Sequence, residues 1–137
     1  MAQSTPLTPA TILVVENEAI ERLELVDWLT DMGLIVFEAQ GASDAIALLD
    51  AHPEIDFLIT DIRMPGAMDG VRLTHHVRGR WPPVKIVVVS GMVDIEPSEL
   101  PPASIFVSKP YAHEALGTAL AGFTGASQPG SIGRGAA

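Results

Sequence analysis

The sequence predicts an α/β protein in which one parallel sheet lies between two layers of helices. Five short apolar segments alternate along the chain with segments of helical periodicity. The five segments are apolar throughout rather than alternating, which is typical of strands covered on both faces. Right-handed crossovers between such strands place helices on both sides of the sheet. We expect one domain over residues 11–123, between flexible tails at 1–10 and 124–137.

The first half of the chain contains two strand–helix units. Strands are predicted at 12–15 and 34–37, and helices at 19–32 and 42–52. Gly33 ends the first helix, and Ser43 is a plausible N-cap of the second. Strand 2 continues into Glu38, Ala39 and Gln40, which we interpret as solvated surface. The apolar residues at helical spacing are Leu25, Trp28, Leu29 and Met32 in the first helix and Ala42, Ala45, Ile46 and Leu49 in the second.

The second half repeats the alternation three more times. Strands are predicted at 57–60, 85–90 and 105–107, and a third helix begins at Asp69 and Gly70 and ends before Pro82 and Pro83. Three prolines within residues 94–102 leave room only for a shortened or irregular fourth helix. A last helix is predicted from 113 to 120, with Leu116 and Leu120 facing inward.

Composition excludes several classes of protein. A net charge of −9 argues against direct nucleic-acid binding. No apolar run is long enough to span a membrane, and the N-terminus has no secretory signal pattern. The absence of cysteine rules out disulfides and thiolate metal sites. These features predict a soluble, cytoplasmic protein that does not associate with membranes.

Four of the five predicted strands end in a polar residue that could take part in catalysis or binding. The residues are Glu16 with Asn17, Asp61, Ser90 and Lys109. Because the carboxyl ends of parallel strands share one edge of the sheet, these residues are expected to face one pocket. Taken singly each has an ordinary explanation, such as a turn at Asp61 or an ion pair at Lys109. Their coincidence at four strand ends favours a functional site.

Each of these residue types has a use at such a pocket. Glu16 and Asp61 are oxygen donors suited to Mg²⁺, and Asn17 could add a carbonyl oxygen. Asp61 could also attack phosphorus, because a carboxylate can form an aspartyl phosphate. Lys109 would offset negative charge, and the Ser90 hydroxyl could hydrogen-bond a phosphoryl oxygen. The acids of the first helix are interpreted as a solvated face, namely Glu21, Glu24 and Asp27.

With these motifs in place, the sequence resembles the receiver domain of two-component response regulators over residues 11–121. The resemblance rests on Ile12-Leu13-Val14-Val15-Glu16-Asn17-Glu18, Thr60-Asp61-Ile62-Arg63-Met64-Pro65, Met68-Asp69-Gly70, Val89-Ser90-Gly91 and Val107-Ser108-Lys109-Pro110-Tyr111. It implies a flavodoxin-like, doubly wound five-stranded sheet in the order 2-1-3-4-5. In open sheets of this kind, ligands bind at the carboxyl ends of the strands.

The resemblance also implies roles for individual residues. Asp61 would accept a phosphoryl group from a histidine kinase or a histidine phosphotransfer protein. Glu16, Asn17, Asp61 and the backbone carbonyl of Arg63 would hold Mg²⁺. Lys109 would contact the phosphoryl group, and a switch would be formed by Ser90 and Phe106. The protein would be a response regulator of the stand-alone, single-domain type, either a monomer or a weak homodimer. It would transmit its signal by contacts with a downstream protein.

Three features depart from the family pattern. Asn17 stands where the family has a second acid, so Mg²⁺ binding is expected to be weaker. The loop 65–70 is one residue longer than usual, and the proline-rich stretch 94–102 distorts the fourth helix. We also expect Met92 to flank the switch hydroxyl and to shield the phosphoryl group from water.

Two other functions are compatible with parts of the pattern. A receiver-fold interaction module that ignores phosphorylation would fit a metal site degraded at Asn17, although Asp61, Ser90 and Lys109 favour the phosphoacceptor. A phosphohydrolase with an aspartate nucleophile typically needs an acid two residues further on, where this chain has Arg63. We therefore expect a signalling domain that catalyses only its own phosphorylation and dephosphorylation, and not an enzyme.

Overall fold

A computed structural model describes residues 9–62, 69–91, 96–109 and 116–121. Residues 1–8 of the predicted N-terminal tail and the whole predicted C-terminal tail lie outside them. Its elements are β1 (Thr11–Val15), α1 (Ala19–Asp31), β2 (Ile35–Ala39), α2 (Ala42–Ala51), β3 (Phe57–Asp61), α3 (Gly70–Arg80), β4 (Lys85–Ser90) and β5 (Ile105–Ser108). A single 3-10 turn, Pro97–Glu99, precedes β5, and residues 116–121 are helical. Among the described residues, no helix is both long and apolar enough to cross a membrane.

The five strands form one parallel sheet in the order β2-β1-β3-β4-β5, which confirms the predicted fold. The register sets the carboxyl ends of the central strands side by side. Val15 pairs with Thr60, Asp61 with Val89, and Ser90 with Ser108. Residues that follow these strands therefore emerge at one edge of the sheet.

Both faces of the central strands β1, β3 and β4 are buried, as the uninterrupted apolar runs predict, whereas the edge strands β2 and β5 are more exposed. Alternate residues of each strand enter opposite halves of the core. One half packs on α2 and α3 and includes Leu13, Val15, Leu58, Val88, Ala45, Leu49, Leu73 and Val77. The other packs on α1 and on the helical segment 116–121 and includes Ile12, Val14, Ile59, Val87, Leu25, Leu29, Leu116 and Leu120.

Several local predictions were wrong. Met32 is the C-cap of α1 and its surface is 51% exposed, because the helix ends before that position turns inward. Gly41, not Ser43, is the N-cap of α2, so Ser43 lies in the first turn. Strand β2 runs to Ala39, which is buried and pairs with Val15, so the end of this strand is not solvated throughout.

The segment between β4 and β5 is irregular where the structure describes it. Residues 96–104 contain the 3-10 turn and no α-helix. The prolines at 97, 101 and 102 explain this, because each lacks the N–H that a helix interior requires. Ala103, which follows them, has a φ of 68°, a left-handed conformation that is unfavourable for a side chain with a Cβ. Residues 92–95 and 113–115, where the predicted fourth helix and the last helix begin, lie outside the described residues.

Candidate functional site

Lys109 joins the ends of three strands at the carboxyl edge of the sheet. Its Nζ donates to Asp61 Oδ2 at 3.1 Å and to Glu16 Oε1 at 3.1 Å. Asp61 is the last residue of β3, Glu16 follows β1, and Lys109 follows β5, so residues far apart in sequence meet as the strand ends predict. The side chains of Glu16 and Asp61 are only 7% and 10% exposed, which strengthens their electrostatic interaction with the ammonium.

Lys109 has a third partner, Glu21 on α1, which the sequence interpretation assigned to a solvated face. Nζ donates to Glu21 Oε1 at 2.7 Å, the shortest of its three described contacts. The side chain of Glu21 is nevertheless 53% exposed. The prediction of a purely solvated role was therefore wrong for Glu21. The available signal was an acid in the first turn of the helix that leaves the same sheet edge.

Backbone contacts fix the carboxylate of Glu16. Its Oε2 accepts a hydrogen bond from the backbone N–H of Glu18 at 3.0 Å. Arg22 Nη1 donates to the backbone carbonyl of Glu16 at 2.8 Å, and Arg22 Nε donates to Glu38 Oε1 at 3.0 Å. Glu38 is 51% exposed, as expected for solvated surface, and it also anchors this mostly buried arginine. Arg22 thus connects the β1–α1 loop to the end of β2, a role that the sequence interpretation missed.

The backbone of Asp61 is held between β4 and the start of α3. The Thr60 hydroxyl donates to the Asp61 carbonyl oxygen at 2.9 Å, and the N–H of Gly70 donates to the Ile62 carbonyl oxygen at 2.9 Å. Gly70 lies so close to this backbone that an added Cβ would overlap the Asp61 carbonyl oxygen. Asp69 caps α3 by accepting a hydrogen bond from the N–H of Arg72, and the helix begins at Gly70, where the sequence predicted its start.

Ser90 and Phe106 lie on the neighbouring strands β4 and β5. Ser90 is 1% exposed, and its carbonyl oxygen accepts a hydrogen bond from the N–H of Lys109 at 2.8 Å. Phe106 is half-buried and packs against the half of the core that contacts α2 and α3. Arg63, Met92 and loop residues 65–68 lie outside the described residues.

The charges of the site shift two pKa values. Burial raises the pKa of Glu16 above its ordinary value of 4.5, with a further contribution from the negative charge of Asp61. The N–H of Glu18 and the ammonium of Lys109 oppose this shift. Burial by itself would lower the pKa of Lys109, but its hydrogen bonds to Glu21, Glu16 and Asp61 outweigh burial and raise that pKa. The ammonium is therefore firmly charged at neutral pH.

The donor set suits a magnesium ion in part. Glu16 and Asp61 share one ammonium, so their carboxylates are close enough to share a cation, and Mg²⁺ commonly takes only one or two protein carboxylates. Asn17 lies half-buried beside Glu16 and offers an amide oxygen. In the part of the chain that the structure describes, no group of three or more His, Cys, Asp or Glu side chains forms a metal site. The residues present therefore fit Mg²⁺ with two carboxylates and not three.

Comparisons with known proteins agree with this geometry. A family model described as response regulator receiver domain matches residues 12–121. The chain is 36% identical over 93 residues to Regulator of RpoS from Escherichia coli (strain K12), covering 66% of this chain and 27% of that protein. It is 31% identical over 115 residues to Sensor kinase CckA from Brucella abortus (strain 2308), covering 81% of this chain and 12% of that protein. The chain thus spans less than a third of the length of these curated relatives.

A solved structure extends the similarity to the fold. The response regulator receiver protein from Sinorhizobium medicae WSM419 superposes with a TM-score of 0.79 at 34% sequence identity. The match covers 86% of this chain and 96% of that one. Nearly the whole of that protein therefore shares the fold described above.

Proposed function

The chain belongs to the response regulator receiver domain family, and from this premise we propose that Asp61 accepts a phosphoryl group from a phosphohistidine. The donor would be a histidine kinase or a histidine phosphotransfer protein. Receiver domains of two-component signalling are signalling domains rather than conventional enzymes. The observation that carries the proposal is the contact between Lys109 Nζ and Asp61 Oδ2 at 3.1 Å, in a pocket where both side chains are mostly buried.

The proposed reaction is a transfer between two residues. A carboxylate oxygen of Asp61 forms a bond to phosphorus while the P–N bond of the phosphohistidine breaks, and the imidazole leaves with the bonding electron pair. Lys109 would compensate negative charge on the phosphoryl oxygens, and the Ser90 hydroxyl would donate a hydrogen bond to one of them. The same groups would serve the later attack of water on the aspartyl phosphate, which is the only other reaction that we assign to the domain.

We assign the role of magnesium ligands to Glu16, Asp61, Asn17 and the backbone carbonyl of Arg63. Bound Mg²⁺ would neutralise charge on the phosphoryl group during transfer. The hydrogen bond from the N–H of Glu18 to Glu16 Oε2 supports this assignment, because it orients the carboxylate toward the pocket that contains Lys109. With Asn17 in place of an acid, the affinity for Mg²⁺ is expected to be lower than with two adjacent carboxylates.

Phosphorylation would act through Ser90 and Phe106. By analogy with phosphoserine at pH 7, a phosphoryl group on Asp61 adds about −1.5 to −2 charges. The Ser90 hydroxyl would move toward the phosphoryl group. Ser90 of β4 pairs with Ser108 of β5, and Phe106 lies two residues before Ser108. The Phe106 ring would move into the space that the Ser90 side chain leaves. The surface around β5 would then change by a shift between two populations and bind a downstream protein. We expect this signalling to take place in the cytoplasm.

Intact-mass analysis tests the proposal directly. The protein is incubated with Mg²⁺ and acetyl phosphate as a small phosphodonor, alongside an Asp61→Asn variant. Addition of one phosphoryl group to the wild type alone supports the proposal. Absence of an adduct, together with no stabilisation by beryllium fluoride, would instead favour the alternative of a receiver-fold interaction module that does not depend on phosphorylation, with a weakened metal site at Asn17.

A further inference from the structure

The ammonium of Lys109 has three N–H groups and makes three described contacts with carboxylates. They go to Asp61 Oδ2, Glu16 Oε1 and Glu21 Oε1. A lysine ammonium has no further donor to offer. A phosphoryl oxygen that is to be contacted by Lys109 must therefore displace one of these three acceptors.

The three acceptors differ in how readily they can be displaced. The side chain of Glu16 is 7% exposed, so its carboxylate would stay poorly hydrated if it lost Lys109. Asp61, 10% exposed, keeps one carboxyl oxygen as an acceptor for Lys109 after its other oxygen has bonded to phosphorus. Glu21 is 53% exposed, and water can replace the ammonium at its carboxylate. Glu16 is also held through its other oxygen by the N–H of Glu18. The contact with Glu21 is therefore the least costly to break.

We propose that Glu21 occupies the third N–H of Lys109 in the unphosphorylated protein and is the partner that the phosphoryl oxygen displaces. Glu21 is then a positioning residue that competes with the phosphoryl group for Lys109. This inference rests on the proposed function, because it assumes that Asp61 is phosphorylated. It makes Glu21 a determinant of how strongly the pocket binds a phosphoryl group, although Glu21 does not touch the group itself.

Removal of the competing charge should strengthen binding of a phosphoryl mimic. We expect Glu21→Gln to bind beryllium fluoride about two- to fivefold more tightly than the wild type, the range expected for a pair with one exposed partner. Titrations are followed by fluorine NMR at saturating Mg²⁺, so that any effect of Glu21 on the cation is removed. The lifetime of the aspartyl phosphate should stay unchanged, because Glu21 no longer contacts Lys109 in that state.

Two further variants separate contact from charge and from structure. Glu24→Gln makes the same change of charge one turn further along α1 and should leave the affinity unchanged. Glu21→Asp keeps the charge but shortens the side chain, so it should behave like Glu21→Gln if direct contact with Lys109 matters. Urea unfolding of all variants should give the wild-type midpoint, because the Glu21–Lys109 pair is largely exposed on one side.

The outcomes distinguish this inference from the proposed function. If the wild type binds beryllium fluoride at Asp61 and Glu21→Gln binds it equally or more weakly, the role of Glu21 is wrong while the proposed function stands. If Glu24→Gln produces the same gain, the effect is one of overall charge and the inference is also overturned. If the wild type forms no adduct with either beryllium fluoride or acetyl phosphate, the proposed function fails and this inference fails with it.

Discussion

Gly70 offers the sharpest test of how the fold positions Asp61. A Cβ at this position would overlap the carbonyl oxygen of Asp61 and crowd the Cα of Ile62, and both obstacles are backbone atoms. Asp61 cannot move away without cost, because it ends β3 and pairs with Val89 of β4. We expect Gly70→Ala to lower the free energy of unfolding by about 1–3 kcal/mol, the usual range for forcing extra volume into a packed site.

Gly79 provides the matched control within the same helix. Apart from the adjacent residues and the nearby backbone of α3, no atom lies within 4 Å of the position that a Cβ on Gly79 would take. In a helix, alanine is favoured over glycine by about 0.5–1 kcal/mol, so Gly79→Ala should stabilise the protein slightly. The two identical substitutions should therefore change stability in opposite directions, with a difference of roughly 1.5–4 kcal/mol.

Urea unfolding followed by circular dichroism measures both variants. The slope of the free energy against urea should match that of the wild type, so that the midpoints can be compared. The strain in Gly70→Ala bears on the backbone of Asp61, the proposed phosphoryl acceptor. Phosphorylation of this variant by acetyl phosphate should therefore also be slower than that of Gly79→Ala. Gly70→Ala with wild-type stability and wild-type phosphorylation would refute the close approach of α3 to Asp61.

Three further predictions follow from residues around this edge and beyond it. Asn17→Asp should raise the affinity for Mg²⁺ by roughly tenfold, because it adds a carboxylate to the donor set; Gln40→Glu, an exposed control at the end of β2, should not do so in the same Mg²⁺ titration. Because the pKa of Glu16 is raised in the folded state, the free energy of unfolding should fall as the pH rises from 4.5 through that raised pKa. Glu16→Gln should remove this component in metal-free urea titrations at several pH values, and equal pH slopes would contradict the raised pKa. Ala103→Gly should stabilise the protein by about 0.5–1 kcal/mol, since it relieves a left-handed φ, whereas Ala47→Gly within α2 should destabilise it in the same assay.

The meeting of Asp61, Glu16 and Lys109 could be predicted from the sequence because it follows from topology. A parallel sheet sends every strand's carboxyl end to one edge, whatever the details of packing. The carboxyl ends of β1, β3 and β5 can be located in the sequence to within about a residue, because each apolar run stops there at a polar residue. The distances of 3.1 Å from Lys109 Nζ to both acids confirm that these three residues meet.

The roles of Glu21 and Arg22 could not be predicted in this way because they depend on the rotation of α1. Two adjacent residues of a helix point in directions about 100° apart, so one can reach Lys109 while the next reaches Glu38. The apolar residues of α1 do not fix its rotation well, since Ile20 and Leu23 are exposed while Leu25 and Leu29 are buried. Which acid faces the site is then decided by packing between α1 and the sheet, which the sequence pattern does not contain.

Asn17 and Glu21 determine where negative charge lies in the pocket. Three acids contact Lys109, namely Glu16, Glu21 and Asp61, whereas position 17 is neutral. Position 17 carries an amide next to Glu16, whereas Glu21 brings a carboxylate to the ammonium of Lys109. The two positions therefore bear on different requirements of phosphoryl transfer, since a cation needs oxygen ligands next to Asp61 and the phosphoryl group needs an available N–H of Lys109. The Glu21 carboxylate contacts Lys109, and among the described residues it does not join Glu16 and Asp61 in a three-carboxylate metal site. A lower affinity for Mg²⁺ and a weaker contact between Lys109 and the phosphoryl group would thus have separate origins. Substitutions at both position 17 and position 21 are needed to assign each effect to its cause.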